Sequence, residues 1–383
     1  MSSTSIYLDS AGSTPVHELV ARAALESFSA TYGNPSASHV EGLRARRAID
    51  AASEHVARGL GCSSAELVWT SGGTESNNWA LFGSAPSASS GHLIVSAIEH
   101  KSVLNAAREL ERRGHALTVL PVTEAGAVRP ADLERALRPN TFLVSIMLAN
   151  NETGVIQPWR EIGALCRAAA VRSHCDAVAA LGKLPLDVAR LGCDLLSLSG
   201  HKLYSPKGCG VLYVRSGIEL APLIHGCGQQ CGRRNGTENT SGAVGLGRAF
   251  ELLTQGEFDG LRSPRLRDEL RDALRAVVPD AIENGCEPRL PNTLSMAFPG
   301  FRASALQAEL AARGVSVGTG AAAASGEASH VLSAMGFDTE RARSTLRFTT
   351  GLYTDASHVA GAAEALREAC AALRSGSAVA AQR

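Results

Sequence analysis

The chain has 383 residues, of which 45% are hydrophobic and 19% are charged, and its formal net charge is zero. The length favours two domains, and the composition is that of an ordinary globular protein. A neutral chain gives no electrostatic reason to expect direct contact with nucleic acid or with a membrane surface. The sequence contains neither an apolar run of transmembrane length nor a secretory pattern at its start, so we expect a cytoplasmic protein.

Nine cysteines are spread along the chain, and we expect them to be reduced thiols. None of them forms a CxxC pair. Cys227 and Cys231 are the nearest to each other, and no second pair of cysteine or histidine ligands stands beside them. The sequence therefore predicts no structural zinc site and no other metal site.

Short apolar segments alternate with amphipathic helical segments from residue 15 to about residue 250. The predicted strands are ELVWT (66–70), HLIVSAIEH (92–100), TFLVSIMLAN (141–150), HCDAVAAL (174–181), CDLLSLSG (193–200) and GCGVLYV (208–214). Helical patterns at 102–114 and 159–172 lie between them. This alternation predicts an α/β fold whose mainly parallel sheet is covered by helices on both faces. Such sheets bind ligands at the carboxyl ends of their strands.

A second α/β region follows a helical stretch at 249–278 that is broken near Gly256 and Gly260. We place the domain boundary at this break. Beyond it, the pattern predicts strands at 292–300, 315–320 and 344–351 and helices at 303–313 and 355–374. We expect these elements to form a smaller C-terminal domain.

Lysine is scarce in this chain. Among 37 lysines and arginines, the lysines are Lys101, Lys183, Lys202 and Lys207. A half-buried lysine can lose its proton near neutral pH and act as a nucleophile, whereas arginine cannot. Lys202 lies in SLSGHKLYSPKG (197–208), directly after a predicted buried strand and beside His201. It is either an ordinary surface lysine at a strand end or the residue that forms a Schiff base with an aldehyde cofactor, most commonly pyridoxal phosphate.

Three further features near strand ends match the needs of that cofactor. Asp176 ends a predicted strand and can hold a protonated pyridine nitrogen. The segment TSGGTESNN (70–78) joins a strand to a helix, so its backbone N–H groups can bind phosphate, and Ser199 can add a hydroxyl group. His100 follows its own strand and can stack on the ring. Each feature alone has an ordinary explanation, such as helix capping by Asp176, but a pyridoxal phosphate site uses all of them.

The chain resembles the cysteine desulfurases, in the aminotransferase class V branch of the pyridoxal phosphate enzymes of fold type I. The resemblance runs almost end to end and rests on motifs in the family's order. They are IYLDSAGSTPV (6–16), YGNPSASH (32–39), TSGGTESNN (70–78), SAIEHKSVL (96–104), NNETGVIQP (150–158), SLSGHKLYSPKGCGVLYV (197–214) and RRNGTEN (233–239). The resemblance implies a seven-stranded type of sheet in a large domain (15–255). It also implies a small α/β domain (1–14 and 256–383) with a mobile loop at about 317–330.

The same resemblance implies roles for particular residues. The cofactor-binding set is Gly73, Thr74, His100, Asn151, Asp176, Ser199, His201, Lys202 and Thr237. Within it, Lys202 forms the covalent link to the cofactor, Asp176 pairs with the pyridinium, and His100 stacks on the ring. Thr74, Ser199 and His201 hold the phosphate. Thr237 reaches the phosphate of the other subunit, which implies a homodimer.

The resemblance also implies a substrate and a reaction. Asn34, Asn151 and Arg347 form the implied substrate site, and a bidentate guanidinium suits the carboxylate of L-cysteine. Lys202 or His100 removes the α-proton. An enzyme thiolate then attacks the substrate sulfur, which yields L-alanine and a persulfide for an acceptor protein. The destinations that the family implies are iron–sulfur assembly, tRNA thiolation and DNA phosphorothioation.

The sequence departs from the family at the nucleophile. The family carries its reactive cysteine in a loop before a Glu-Pro-Ser-His sequence, and here the loop reads VGTGAAAASGEASHVL (317–332). Counting back from the end of this segment places the cysteine position at Ala321, with Ala322 and Ala323 as neighbouring options. No cysteine lies between Cys286 and Cys370. The chain as written therefore lacks the loop nucleophile.

Three explanations for this alanine stay open. The chain is a variant disarmed by replacement of the cysteine, a natural protein with a displaced thiol at Cys227 or Cys231, or a non-catalytic relative. We favour the first, because the other site residues, including Arg347, are kept. Two other functions also stay open. One is another class V enzyme, such as a selenocysteine lyase, and the other is a pyridoxal phosphate-binding scaffold that docks an acceptor protein.

Overall fold

The computed structural model describes residues 5–87, 90–320 and 328–376. Its strands are β1 (Ile6–Leu8), β2 (Leu67–Thr70), β3 (His92–Ser96), β4 (Ala116–Leu120), β5 (Thr141–Ser145), β6 (Arg172–Asp176), β7 (Leu195–Ser199), β8 (Gly210–Val214), β9 (Ile282–Glu283), β10 (Thr293–Ala297), β11 (Val315–Val317) and β12 (Thr345–Thr349). Its α-helices are α1 (Glu18–Ala30), α2 (Val40–Leu60), α3 (Gly73–Ser84), α4 (Lys101–Arg112), α5 (Pro130–Ala136), α6 (Trp159–Ala168), α7 (Val188–Leu191), α8 (Thr240–Thr254), α9 (Arg265–Val277), α10 (Ala303–Ala312), α11 (His330–Ala334), α12 (Thr339–Arg343) and α13 (Ala356–Ser375). Within these ranges, no helix combines the length and the apolar character needed to cross a membrane.

The central sheet has seven strands in the order β2-β8-β7-β6-β5-β3-β4. Neighbouring strands pair in parallel from β4 across to β7, whereas β8 runs antiparallel to both of its neighbours. This confirms the predicted α/β fold with a mainly parallel sheet. The sequence analysis does not predict β4, which lies at the edge of the sheet and is only partly buried.

Helices cover both faces of this sheet. On one face, α3 and α4 form a cluster in which Trp79 packs with Leu93 and Val95. On the other face, α2, α6 and α8 form a second cluster that contains Phe250 and Ile94. Because successive side chains of β3 enter opposite clusters, both must be apolar. This is why the strand segments are continuously apolar and do not alternate.

The C-terminal part builds a smaller antiparallel sheet in the order β12-β10-β9, and β1 pairs in parallel with β11. Leu8 of β1 lies in one apolar cluster with Leu270 of α9, Leu306 of α10 and Leu366 of α13. The N-terminal strand therefore packs with the C-terminal part of the chain. We propose that the large domain spans residues 15–255 and that the small domain combines residues 1–14 with residues 256–383.

The chain changes direction between α8 and α9, where the sequence predicts a break. A short 3-10 helix, Asp259–Arg262, separates the two helices. Gly256 has a φ of 87°. A glycine adopts this left-handed conformation at low cost, so it ends α8 without strain.

Candidate active site

A cavity of about 800 Å³ opens at the carboxyl ends of the central strands. Its lining includes most of the residues predicted for the site, namely Gly73, Thr74, His100, Asn151, Asp176, Ser199, His201, Lys202 and Arg347. Asn34 and Thr237 are exposed and do not line this cavity. Ala321 lies outside the described residues. All four lysines of the chain line this cavity, together with the carboxylates of Glu75, Glu152 and Asp176.

Lys202 lies on a single 3-10 turn, Gly200–Lys202, directly after β7. Its amine donates hydrogen bonds to the carbonyl oxygen of Ala11 and, at 2.7 Å, to that of Gly12. Burial lowers the pKa of Lys202 to about 8, and the charge of Arg347 acts in the same direction. A substantial fraction of such an amine is neutral just above neutral pH, and the neutral form is the one that attacks an aldehyde.

A second lysine lies directly behind the first. Lys183 is only 5% exposed, and its Nζ donates a hydrogen bond to the carbonyl oxygen of Lys202 at 2.7 Å. Burial, reinforced by the charge of Lys202, lowers the pKa of Lys183 to about 7. The bond holds the turn that presents Lys202. No role for Lys183 is predicted from the sequence, although the scarcity of lysine could have pointed to it.

Asp176 is the last residue of β6 and is buried. Its Oδ1 accepts a hydrogen bond from the backbone N–H of Val178 at 3.0 Å, and its Oδ2 accepts one from Nδ2 of Asn77 at 2.7 Å. These two donors fix the carboxylate and leave lone pairs for a cationic ligand group. A protonated pyridine nitrogen is such a group.

The turn between β2 and α3 forms a site for an anion. Gly72 has a φ of 149°, which residues with a side chain rarely adopt. A Cβ atom at Gly73 would lie 2.7 Å from Cγ2 of Val178, so the backbone approaches its neighbour too closely for any other residue. Within the part of the chain that the structure describes, no side chain caps the N-terminus of α3. Its first backbone N–H groups are therefore free to bind a phosphate.

The N-terminal segment runs along the cavity beside His201. Nδ1 of His201 lies 3.2 Å from Oγ of Ser13, and the backbone N–H of Thr14 donates to the carbonyl oxygen of His201 at 3.0 Å. Burial, with the nearby charge of Lys202, lowers the pKa of His201 to about 4. The ring is therefore neutral at physiological pH and can take part in hydrogen bonds to a phosphate without adding charge.

His100 caps the N-terminus of α4. Its Nδ1 accepts a hydrogen bond from the backbone N–H of Ser102 at 3.1 Å. Although part of the residue is exposed to the cavity, burial of its ring lowers its pKa. The charge of Asp176 opposes this shift, and that of Lys202 adds to it. The geometry favours a neutral imidazole at the cavity wall.

Arg347 lies on β12 and is 8% exposed. It donates hydrogen bonds to the carbonyl oxygen of Asn151 at 2.9 Å and to Oδ1 of Asp9 at 2.7 Å. A Cβ atom at Gly318 would lie 2.8 Å from the guanidinium, so a glycine is needed there. Nε of Arg347 is buried and has no hydrogen-bond partner among the described residues. The residue also lines the cavity, so the guanidinium is at hand for a ligand bound there.

Residues on both sides of 321–327 meet at Glu152. Oγ of Ser329 donates a hydrogen bond to Oε2 of Glu152 at 2.5 Å. Gly320 lines the cavity, and a Cβ atom there would lie 2.7 Å from the same oxygen. The residue directly before position 321 is thus part of the cavity wall.

Besides Lys183, three further contributing residues are not predicted from the sequence. Asn77 has a weak sequence signal, because it lies about one turn after Thr74 and therefore on the same side of α3. Ser102 has no such signal, because the residue that caps α4 is His100 and Ser102 lies within the first turn of the helix. Asp9 has none, since its contact with Arg347 joins the two ends of the chain.

The chain matches the family described as Aminotransferase class-V over residues 6–361. It is 42% identical over 355 residues to cysteine desulfurase IscS of Dictyoglomus turgidum, and this alignment covers 91% of the chain and 90% of that protein. A solved structure of a NifS-like protein is similar with a TM-score of 0.90 and 35% identity, covering 96% of this chain and 100% of that one. The structure of SspA in complex with cysteine is similar with a TM-score of 0.79 and 37% identity, covering 91% of this chain and 99% of that one.

The side chains at the cavity fit pyridoxal phosphate by the chemistry of their donors. The amine of Lys202 suits its aldehyde, the carboxylate of Asp176 its ring nitrogen, and the uncapped start of α3 its phosphate. The close approach at Gly73 keeps that cradle open. With the family match and its relatives, these features identify the chain as a member of the aminotransferase class-V family and, within it, of the pyridoxal phosphate-dependent cysteine desulfurases.

Proposed function

We propose that this chain binds pyridoxal phosphate and L-cysteine side by side in the cavity and prepares the cysteine for removal of its sulfur. The observation that carries the proposal is that Lys202, Asp176 and Arg347 line one cavity with the glycine turn that precedes α3. An amine, a carboxylate, a guanidinium and an anion cradle match an aldehyde, a ring nitrogen, a substrate carboxylate and a phosphate.

Each cofactor group has a proposed partner. Lys202 holds the aldehyde carbon, and Asp176 holds the ring nitrogen. Gly73 and Thr74 bind the phosphate through their backbone N–H groups, with His201 beside them. When bound, pyridoxal phosphate supplies an electron sink that stabilises negative charge on the substrate α-carbon. The protein's share of the chemistry is to orient the substrate and to accept or donate protons around that carbon.

Arg347 is the proposed anchor for the substrate carboxylate. Its Nε is buried without a partner among the described residues, and a buried unpaired donor costs free energy. Arg347 lines the cavity, so a carboxylate bound there would pair with its guanidinium. Asp9 and the carbonyl oxygen of Asn151 already fix the rest of the guanidinium, so little ordering would be needed on binding.

Position 321 decides whether the sulfur can be taken up. Alanine has no thiol, so a persulfide cannot form at Ala321. A cysteine at this position would follow the cavity-wall residue Gly320 directly, and an acceptor protein would then receive the sulfur from it. Cys227 and Cys231 are exposed and do not line the cavity of their own protomer, which gives neither of them a direct approach to substrate there.

The protein is proposed to act as a homodimer. Apolar side chains on α1, in the segment after it and at the start of α2 are largely exposed: Leu25 is 69%, Phe28 68%, Tyr32 69% and Val40 65% exposed. A cluster of this kind is typical of an interaction surface. Thr237 is exposed away from its own cavity, which suits the predicted contact with the phosphate bound by the partner subunit.

Binding of L-cysteine to the pyridoxal phosphate-loaded chain tests the proposal, with cofactor absorbance as the readout. Arg347→Lys keeps the charge but loses the planar fork, so we expect cysteine to bind about 10- to 100-fold more weakly while cofactor loading is unchanged. Arg343→Lys, at the exposed end of α12, is the matched control. Equal cysteine affinity in the two variants would refute Arg347 as the anchor. A failure of the unchanged chain to take up the cofactor would refute the whole proposal.

A further inference from the structure

A chain of hydrogen bonds links His100 to Asp176 through two residues that have no assigned role. Nδ2 of Asn77 donates to Oδ2 of Asp176 at 2.7 Å and to Oγ of Ser102 at 2.9 Å. Oγ of Ser102 lies 2.8 Å from Nδ1 of His100. Asn77 and Ser102 therefore connect the two side chains that are predicted to contact the cofactor ring.

The direction of each bond follows from the chemistry of the groups. A carboxylate only accepts hydrogen bonds, so the part of Asn77 that faces Asp176 must be its NH₂ group. The second hydrogen of that group is used on Oγ of Ser102. The hydroxyl hydrogen of Ser102 is then left to point at His100, whose Nδ1 must accept it.

A second donor acts on the same nitrogen. The backbone N–H of Ser102, at the start of α4, also points at Nδ1 of His100 at 3.1 Å. A proton on Nδ1 would leave this N–H without an acceptor. Full protonation of the ring would also place a positive charge at the positive end of the helix dipole. The helix cap and the serine hydroxyl thus require the same form of the ring.

We propose that Asn77 and Ser102 are positioning residues that hold His100 in its neutral form with the proton on Nε2. The importance of this for the reaction rests on the proposed function. In this form, Nε2 can donate a hydrogen bond but cannot take up a proton. The proposal therefore assigns the substrate α-proton to Lys202 and not to His100.

The charged and titratable groups around His100 do not decide its form by themselves. Asp176 and Glu152 favour a protonated ring, whereas Lys202 and His330 oppose it. Burial also favours the neutral ring. Because the charges act in opposite directions, the loss of one hydrogen bond to Nδ1 should shift the balance measurably.

Long-range ¹H–¹⁵N correlation NMR on the full chain, with ring-labelled histidine, reads the form directly. The spectra are recorded without and with pyridoxal phosphate, and His100→Gln identifies the signals of His100. We expect one neutral form at pH 7, with hydrogen on Nε2 and none on Nδ1. A proton on Nδ1 in the unchanged chain would overturn the proposal. The cofactor-free spectra need no cofactor binding or turnover, so they remain informative if the proposed function fails.

Two matched variants test the role of Ser102. Ser102→Ala removes the hydroxyl but keeps the backbone donor, and Ser102→Thr keeps both. We expect the titration midpoint of His100 to rise by about half to one pH unit in Ser102→Ala, because a bond to the neutral form is lost, and to stay unchanged in Ser102→Thr. Equal midpoints in the two variants would overturn the role of Ser102.

Asn77→Leu tests the other member of the chain. It should raise the midpoint in the same direction as Ser102→Ala. The double variant should not exceed Ser102→Ala alone, because both changes interrupt one chain of bonds. Strictly additive shifts, or no shift with Asn77→Leu, would remove Asn77 from the proposal.

Discussion

Opposing effects act on the pKa of the Lys202 amine. The charges of Asp9 and Asp176 favour its protonated form, and it donates hydrogen bonds to the carbonyl oxygens of Ala11 and Gly12. Burial, and after it the charge of Arg347, favours the neutral form, and the pKa falls to about 8. Lys183 holds the backbone of Lys202 from behind, so the amine reaches the cavity from a fixed turn.

We predict that the cofactor-free chain captures pyridoxal phosphate faster as the pH rises through about 8. Only the neutral amine attacks an aldehyde, so the rate should increase about tenfold per pH unit below the pKa of Lys202 and level off above it. Stopped-flow absorbance measures this rate. Pyridoxamine phosphate, which has no aldehyde, should bind without this rise. A capture rate that is constant between about pH 6.5 and 9 would contradict the prediction.

The position of a single site residue could be predicted from the sequence where a local pattern marks it. Lys202, Asp176 and His100 each follow an apolar strand, and parallel strands bring their carboxyl ends to one edge, where the cavity lies. Asn77 and Ser102 could not be predicted in the same way. Their roles depend on the distance between α3 and α4, which no local pattern encodes.

A row of polar side chains crosses three buried strands of the central sheet. His174 of β6 lies between Ser145 of β5 and Ser197 of β7, with Nδ1 and Nε2 at 2.8 and 2.9 Å from the two hydroxyl oxygens. All three side chains are fully buried, and burial lowers the pKa of His174 to about 3. Because side chains alternate along a strand, His174 lies on the same face of β6 as Asp176.

We predict that His174 makes the protein less stable as the pH falls below 6.5. The folded state keeps the ring neutral down to about pH 3, whereas the unfolded chain binds a proton below its ordinary value of 6.5. The unfolded state therefore binds more protons in this window. The free energy of unfolding should fall by about 1.4 kcal/mol per pH unit from this group.

Urea unfolding between about pH 4 and 7 measures this slope. His174→Gln should have a shallower pH dependence than the unchanged chain, whatever its absolute stability. His225→Gln, at an exposed ring, should keep the original slope. Identical slopes for the two variants would mean that His174 is not held neutral in the folded protein.

The elements differ in how far the sequence determines them. Strand–helix alternation predicts the parallel strands, but it does not give the direction of β8. The connection 200–209 between β7 and β8 is too short for a helical crossover. Its length could therefore have predicted that the two strands pair antiparallel. The pairing of β1 with β11 joins distant parts of the chain and has no local signature.

At the scale of the whole molecule, we predict that the apolar surface on α1 and α2 holds two copies together. Phe28→Asp should convert a dimer into a monomer, because a carboxylate would be buried at the centre of the contact. Light scattering after size exclusion measures the mass. Val119→Asp, at an exposed position on the edge strand β4, should remain dimeric. An unchanged chain that is monomeric at about 50 µM, or a Phe28→Asp variant that stays dimeric, would contradict the prediction.

The overall architecture and the cofactor could be predicted because many separate motifs point to one family. The path of the N-terminal segment across the cavity could not. It depends on contacts such as that between Ser13 and His201, which form only once the two parts of the chain have packed together. The sequence also does not identify a partner protein, because a formal net charge of zero favours no class of partner.

We propose that the cavity retains the lysine, carboxylate and guanidinium groups of a cysteine desulfurase and that the chain lacks the thiol at position 321. The most direct measurement is the production of L-alanine and sulfide from L-cysteine, with pyridoxal phosphate and a reductant. It compares the chain as written with its Ala321→Cys variant, and Ala321→Ser serves as the control without a thiol. We predict sustained turnover by Ala321→Cys alone. Equal turnover by the chain as written would show that another nucleophile acts and that position 321 is wrongly assigned.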